Sequence, residues 1–236
     1  MTYPIHERFH AFQGEGVHAG RNSFFIRTFG CPVHCPWCDS AGTWHKDWVP
    51  KKIKRLEAEE LAQEAKETGA SFVVITGGEP TVHDLDPLCF EIRMLDMDAH
   101  LETCGAFKFT HEAFDWVTLS PKWDKLPLAE NLLRADELKL IIEDEDSIQK
   151  WIDAICQIAG TSTLAEAIHP NAQVWLHPEW SHREDPVVLQ KIANHVKLHG
   201  GPFRAGWQLH KLYRVDALDH RAASNAPLGG DPTLGY

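Results

Sequence analysis

Apolar positions along the chain fall into two alternating patterns. Short runs have every residue or every second residue apolar, and longer stretches place apolar residues three or four apart. The first pattern marks strands and the second marks amphipathic helices. In residues 8–16, RFHAFQGEG, the apolar positions Phe9, Ala11 and Phe12 predict a short strand ending in a tight loop that presents Gln13 and Glu15. Residues 23–30, SFFIRTFG, predict a buried strand. After a basic patch at 51–55, residues 56–69 put Leu61, Ala62 and Ala65 on one stripe, with acids in the first turn and Gly69 as the stop: a helix. Residues 72–75 are a fully apolar strand that breaks into Thr76, Gly77, Gly78, Glu79 and Pro80.

The same rhythm continues. LDPLCFEIRML (85–95) predicts a helix, HLETCG (100–105) a short strand ending on Glu102, Thr103 and Gly105, and WVTLSPK (116–122) a strand ending on Ser120, Pro121 and Lys122. A loop is expected over 124–131, then a strand over 137–142 and a helix over 147–159 with Ile148, Trp151, Ile152, Ile155 and Ile158 on one face. A strand over 173–176 breaks at His177 and Pro178, a helix covers about 186–198, and FRAGWQLHKL is the last apolar stretch. Strand, helix, strand and Gly-rich loop are the βαβ signature of an α/β protein with a parallel sheet, whose ligands collect at the carboxyl ends of the strands. About six strand-like segments end on polar residues, as a barrel rim would.

Composition narrows this picture. A chain of 236 residues, 43% hydrophobic, can bury one full core, but has no room for a full eightfold barrel plus a second domain. One domain over 1–221 is expected, followed by a Gly/Pro-rich tail over 222–236 that is flexible or draped. A net charge of −11 is the wrong sign for binding a nucleic-acid backbone, which favours a small-molecule ligand. There is no secretory signal pattern and no run of eighteen apolar residues, so neither secretion nor a membrane span is expected. Three clustered thiols plus isolated Cys89, Cys104 and Cys156 do not form a disulfide framework in a chain this long, which implies a reducing compartment, the cytoplasm.

The candidate chemistry centres on GCPVHCPWCDSAGT, residues 30–43, where Cys31, Cys35 and Cys38 follow the spacing C-x3-C-x2-C. A structural zinc site or an ordinary iron–sulfur site uses four protein ligands, so a triplet suggests a cluster with one iron left open. Zinc with His34 or His45 as fourth ligand is the rival, and three buried inert thiols the plain alternative. Gly14 and Gly16 free the FQGEG backbone to approach a ligand, against the alternative of a surface turn. Arg27, on a buried strand, needs an anionic partner: a ligand carboxylate or an internal salt bridge. The Gly77–Gly78 pair offers close backbone approach and free carbonyls to a cationic ligand group.

The cysteine triplet, with Trp37 before its last thiol, resembles the signature of the radical S-adenosylmethionine enzymes. The resemblance implies that the three cysteines hold a [4Fe–4S] cluster whose fourth iron is chelated by S-adenosylmethionine. Reductive cleavage of the sulfonium then yields a hydrogen-abstracting 5′-deoxyadenosyl radical. FQGEG, FIRTFGC, CDSAGTW, TGGEP, LETCG, LSPK, ELKLII and QLHKL, in this order from residue 12 to residue 211, resemble the 7-carboxy-7-deazaguanine synthase family. That likeness implies a partial, truncated (β/α)6-type barrel with a mostly parallel sheet. It also implies a carbon–nitrogen lyase that turns 6-carboxy-5,6,7,8-tetrahydropterin into 7-carboxy-7-deazaguanine with loss of ammonia, in queuosine and related 7-deazapurine biosynthesis.

Site roles follow from the same resemblance. Phe12, Gln13, Gly14, Glu15 and Thr76 would contact the pterin, Arg27 its carboxylate, Glu102 its ring, and His210 would close over it. Glu15, Arg27, Glu102 and His210 would be the catalytic set. Trp37 and Asp39 would sit beside the adenosyl cofactor, and Gly78 and Glu79 would hold its methionyl amino group. Ser120, Pro121, Lys122, His177, Pro178, Glu179 and Trp180 would line its adenosine side. Mg²⁺ would bind through Ser40, with Thr43 a nearby alternative. A flavodoxin-type or other one-electron reductant and a homodimer are implied as partners. Cys104 stands where relatives commonly have Asn or Gln, and the stretch past His210 is longer than in compact members. A glycyl-radical-type activase and a zinc-stabilised binding module are the competing readings.

Overall fold

A run such as FVVITG is stable only with cover on both faces. The computed structural model, which describes residues 1–215 and 218–222, provides that cover within one mixed sheet. Its strands are β1 (Thr2–Phe12), β2 (Asn22–Thr28), β3 (Lys54–Glu57), β4 (Phe72–Gly77), β5 (Asp98–Thr103), β6 (Trp116–Leu119), β7 (Glu137–Ile142), β8 (Gln173–Pro178) and β9 (Phe203–Ala205). They form a 9-stranded sheet in the order β3-β1-β2-β4-β5-β6-β7-β8-β9. β1 pairs antiparallel with β2 and β3, and every pair from β2 to β9 is parallel. The sheet is open, with β3 and β9 at its edges: a partial barrel.

The helices are α1 (Ala58–Glu67), α2 (Asp86–Met94), α3 (Ala129–Leu132), α4 (Ser147–Ala159), α5 (Leu164–Ala167), α6 (Pro186–His199) and α7 (Leu209–Tyr213). In α1 the stripe Leu61, Ala62 and Ala65 is buried as expected, and Glu59, Glu60 and Lys66 complement the helix dipole at the two ends. α4 buries Ile148, Trp151 and Ile155, and Gly160 ends it in the left-handed conformation at φ 68°. The Trp151 indole donates to the Ile141 carbonyl at 3.1 Å. Its truncation to Ala would cost about 3–5 kcal/mol.

Strand periodicity divides the core. Phe24, Ile26, Val73 and Ile75 face the helices in the main apolar cluster, whereas Phe9, Phe25, Phe72 and Val74 pack together on the opposite face. On that inner face the register builds rows across the strands. Phe25 lies beside Val74, Val74 beside His100 and His100 beside Trp116, forming an aromatic lower row. Two residues further on, Arg27 lies beside Thr76, one position past the Ile75–Leu101 pair, so Arg27, Thr76 and Glu102 form a polar upper row. The polar row is the one at the carboxyl ends.

Several elements differ from expectation. β1 begins at Thr2, well before residue 8, because its first half pairs with β3. β3 itself arises in and after the basic patch, where exposed charge protects a sheet edge. The end of the loop expected over 124–131 closes into the single turn α3. β8 continues through His177 and Pro178, which pair with Ile141 and Ile142. The tail expected over 222–236 lies, beyond Ala222, outside the described residues. Among the described residues no helix is long and apolar enough to cross a membrane.

Candidate active site

The cysteine loop leaves β2 and is closed at its base by Gly30 N–H donating to the Thr43 carbonyl at 3.1 Å. Against it lies the turn after β4. Gly78 N–H donates to the Thr28 carbonyl at 3.2 Å and Glu79 N–H to the Gly30 carbonyl at 3.0 Å. A Cβ at Gly78 would overlap the Gly30 carbonyl and Cys31 Cβ, so only glycine lets the two loops meet. Glu79, 1% exposed, accepts from Thr81 N–H and hydroxyl, the Thr103 hydroxyl and Cys104 N–H. Its carboxylate thereby ties the TGGEP turn to the end of β5.

Cys31, Cys35 and Cys38 are free thiols on the wall of one cleft. A hydrogen bond from Cys35 holds the Cys38 thiol low; the same bond pushes Cys35 up, and burial pushes Cys31 up. The rival zinc ligands are placed elsewhere. His34 stacks on Trp44 with ring centroids 4.5 Å apart, His45 lies 3.8 Å from Asp47, and neither lines the cleft. Among the described residues no three His, Cys, Asp or Glu converge as around a single ion. Three thiols on an open cleft fit a cluster with one iron free, with S-adenosylmethionine as the outside ligand.

The opposite wall is polar and paired. Gln13 Nε2 donates to Glu102 Oε1 at 2.9 Å and the Thr76 hydroxyl to Glu102 Oε2 at 3.2 Å. Arg27 donates from Nε to Glu7 Oε1 at 2.8 Å and from Nη1 to Ser40 Oγ at 2.6 Å. Glu15 forms an ion pair with Lys139 and accepts from Gln208 Nε2 at 2.7 Å. Burial works to raise the Glu15 carboxyl, but Lys139, with His177 and His210 behind it, outweighs that and holds it well below the usual range. Asp39 behaves alike: Lys211, 3.2 Å away, and Arg27 outweigh burial. Burial lowers His210, and lowers His177 to about 4.

Most expected site residues line this cleft: Phe12, Gln13, Glu15, Arg27, Trp37, Asp39, Ser40, Thr76, Gly78, Glu79, Glu102, Ser120, Lys122, Pro178, Glu179, Trp180 and His210. Lys122 Nζ donates to the Ser120 carbonyl at 2.6 Å and lies 5.3 Å from the Trp37 ring centroid. Glu179 is engaged by Ser181 and by His182 at 3.0 Å. Four expected residues stand behind the wall. Gly14 lies against the His210 ring, Pro121 is buried beside Lys122, His177 is 0% exposed against Gly206, and Thr43 donates to the Ser40 carbonyl at 2.7 Å.

Sequence reasoning gave no role to Glu7, Lys139, Gln208 or Lys211, all of which line the cleft. One signal was available for Lys139, a charge set between Leu138 and Leu140 in the strand ELKLII.

A parallel sheet carrying three thiols at its carboxyl edge, with the fourth coordination left to an outside ligand, has the architecture of a radical S-adenosylmethionine enzyme. Residues 25–121 match the Radical SAM superfamily. A protein of Synechocystis sp. named 7-carboxy-7-deazaguanine synthase is 42% identical over 215 residues, 91% of this chain and 94% of the relative. One of the same name from Prochlorococcus marinus is 35% identical over 228 residues, covering 90% and 97%. The crystal structure of QueE from Escherichia coli superposes with a TM-score of 0.72 at 29% identity, covering 89% of this chain and 95% of that one. The chain belongs to the 7-carboxy-7-deazaguanine synthase family. As a radical S-adenosylmethionine lyase it employs a [4Fe–4S] cluster and S-adenosylmethionine and acts on a small molecule.

Proposed function

We propose that the chain converts 6-carboxy-5,6,7,8-tetrahydropterin to 7-carboxy-7-deazaguanine with loss of ammonia, within 7-deazapurine biosynthesis. The observation that carries this reading is the hydrogen-bonded group Gln13–Glu102–Thr76, set beside Arg27 in the same cleft as the three thiols. A 6-carboxypterin offers an edge of N–H donors and a carboxylate, and this wall offers acceptors and a guanidinium. A site built to hydrogen-bond a polar edge discriminates far better than apolar fit alone.

Cys31, Cys35 and Cys38 would hold the cluster, and the bound cluster and sulfonium would supply the radical that takes hydrogen from the substrate. Arg27, Gln13, Glu15 and Glu102 orient the ring so that the reacting carbon faces the thiol wall, a positioning effect. Phe12 and Thr76 fill the substrate side, and His210, neutral through burial, closes the mouth. Trp37, Asp39, Gly78, Ser120, Lys122, Pro178, Glu179 and Trp180 remain the proposed cofactor side, with Pro121 and His177 buried behind it. Glu79 fixes the turn through Oε1, which takes three donors, while Oε2 takes the Cys104 N–H and keeps an acceptor position for the methionyl amino group.

Mg²⁺ is assigned to Ser40 rather than Thr43, since Ser40 alone of the two lines the cleft. One hydroxyl suffices when water and substrate oxygens complete the shell. Ser40→Ala should weaken stimulation by Mg²⁺ while cofactor cleavage stays measurable; unchanged Mg²⁺ dependence rejects the site. A flavodoxin-type or other one-electron reductant, a homodimer, a cytoplasmic location and a single domain over 1–221 complete the reading.

Anaerobic incubation of the reconstituted protein with reductant, S-adenosylmethionine, Mg²⁺ and the carboxypterin tests the whole reading. Mass analysis should detect the deazaguanine acid with release of ammonia. No product, alongside radical formation on a partner protein, would favour the activase reading instead.

A further inference from the structure

Lys139 lies between the buried Leu138 and Leu140 of β7, and its ammonium pairs with Glu15 on the loop after β1. The two side chains are only 17% and 8% exposed. Taking an ammonium and a carboxylate out of water costs several kcal/mol per ion, and apolar residues would hold two elements together at least as well. A buried pair kept on the wall of a ligand cleft therefore calls for a role in the cleft. Gln208, at the start of α7, fixes the other Glu15 oxygen. With one donor on each oxygen, a carboxylate with about four lone-pair sites retains two acceptor positions.

We propose that Lys139 is a positioning residue for substrate recognition, holding Glu15 ionised and aimed so that it accepts two N–H donors from the aminopyrimidine edge of the substrate. The inference rests on the reading above that Glu15 contacts the pterin. The groups facing Glu15 are Lys139 from β7, His177 from β8 and His210 from α7, and Lys139 in turn faces Glu15, Glu102 and Asp39. Both histidines are pushed low by burial, so Lys139 is the permanent cation in this set. Without it burial prevails, the Glu15 carboxyl rises toward neutrality, and an acceptor-only group becomes partly a donor that repels the same edge.

The test is equilibrium binding of 6-carboxy-5,6,7,8-tetrahydropterin to the anaerobic, cluster-loaded protein with S-adenosylmethionine, from pH 6 to 8.5, relative to wild type. Lys139→Met should weaken binding roughly tenfold or more at pH 6, with the deficit narrowing as pH rises through the raised Glu15 value. Glu15→Gln should weaken it without that pH dependence, and the double variant should be no worse than Glu15→Gln, since both act through one group. Lys139→Arg keeps the charge and should keep the flat profile, which separates charge from packing. If Glu15→Gln is impaired while Lys139→Met binds like wild type with a flat profile, or if the two effects simply add, the inference is overturned. Unimpaired binding by Glu15→Gln would instead remove the reading of Glu15 on which it stands.

Discussion

A guanidinium carries five N–H donors in a rigid fork, and Arg27 commits one to Glu7 and one to Ser40 while lining the cleft. The three that remain suit a planar carboxylate, and Glu7, whose side chain is 3% exposed, prevents the fork from turning away. Glu7 and Asp39 also raise the Arg27 pKa against burial. Lysine keeps the charge but presents a single ammonium that cannot serve both partners. Arg27→Lys should therefore weaken pterin binding about 10- to 100-fold while iron content per chain stays that of wild type. A titration showing wild-type affinity in Arg27→Lys would mean that the fork is purely internal. Such a pair also shows where sequence reading stops. That Arg27 needs an anion is legible from one buried strand, but Glu7 as the partner depends on β1 and β2 placing residues 7 and 27 side by side.

Elements whose cover comes from their own periodicity were legible. β4, α1 and α4 fall where the apolar pattern puts them, because their burial is decided within ten or so consecutive residues. β3 and α7 were not, since each depends on distant partners: β3 on the first residues of β1, and α7 on three parts of the cleft at once. Leu209 N–H donates to the Gly14 carbonyl at 3.0 Å, Lys211 pairs with Asp39 and sits 4.9 Å from the Trp180 ring centroid, and Tyr213 meets Phe12 edge-on at 5.5 Å. A five-residue helix has little stability of its own, so these contacts hold it over the mouth. Lys211→Met should loosen it: α7 amides should exchange with solvent about tenfold faster or more, with amides of β4 unaffected, and pterin binding should weaken. Unchanged exchange in α7 would show that the Lys211–Asp39 pair does not secure this strap.

At the scale of the whole molecule, the open sheet leaves a lower inner row that must be plugged, and histidines do part of that work. His100 stacks on Phe72 with centroids 4.2 Å apart, and His18 from the β1–β2 loop packs on His100 at 4.7 Å and on Trp116 at 4.6 Å. Burial lowers His100 to about 3, as it lowers His177 to about 4. A histidine near 6.5 when unfolded and depressed when folded binds its proton more readily in the unfolded chain. The stability it permits is complete above pH 6.5 and is lost as pH falls from there toward 4 for His177 and 3 for His100. Glu15 and Asp39, held low, add their losses only below the usual carboxylate range, whereas Glu137, raised by burial, works in the opposite direction. Between pH 7 and pH 5 the histidines therefore dominate, at about 1–2 kcal/mol each. Urea unfolding of the wild type at these two pH values should show a drop of about 2–4 kcal/mol from the two together. His100→Phe, which keeps the stack on Phe72 but cannot take a proton, should lose distinctly less stability over the same interval. An identical drop in the variant would mean that the lower row takes no part in the acid sensitivity of this fold.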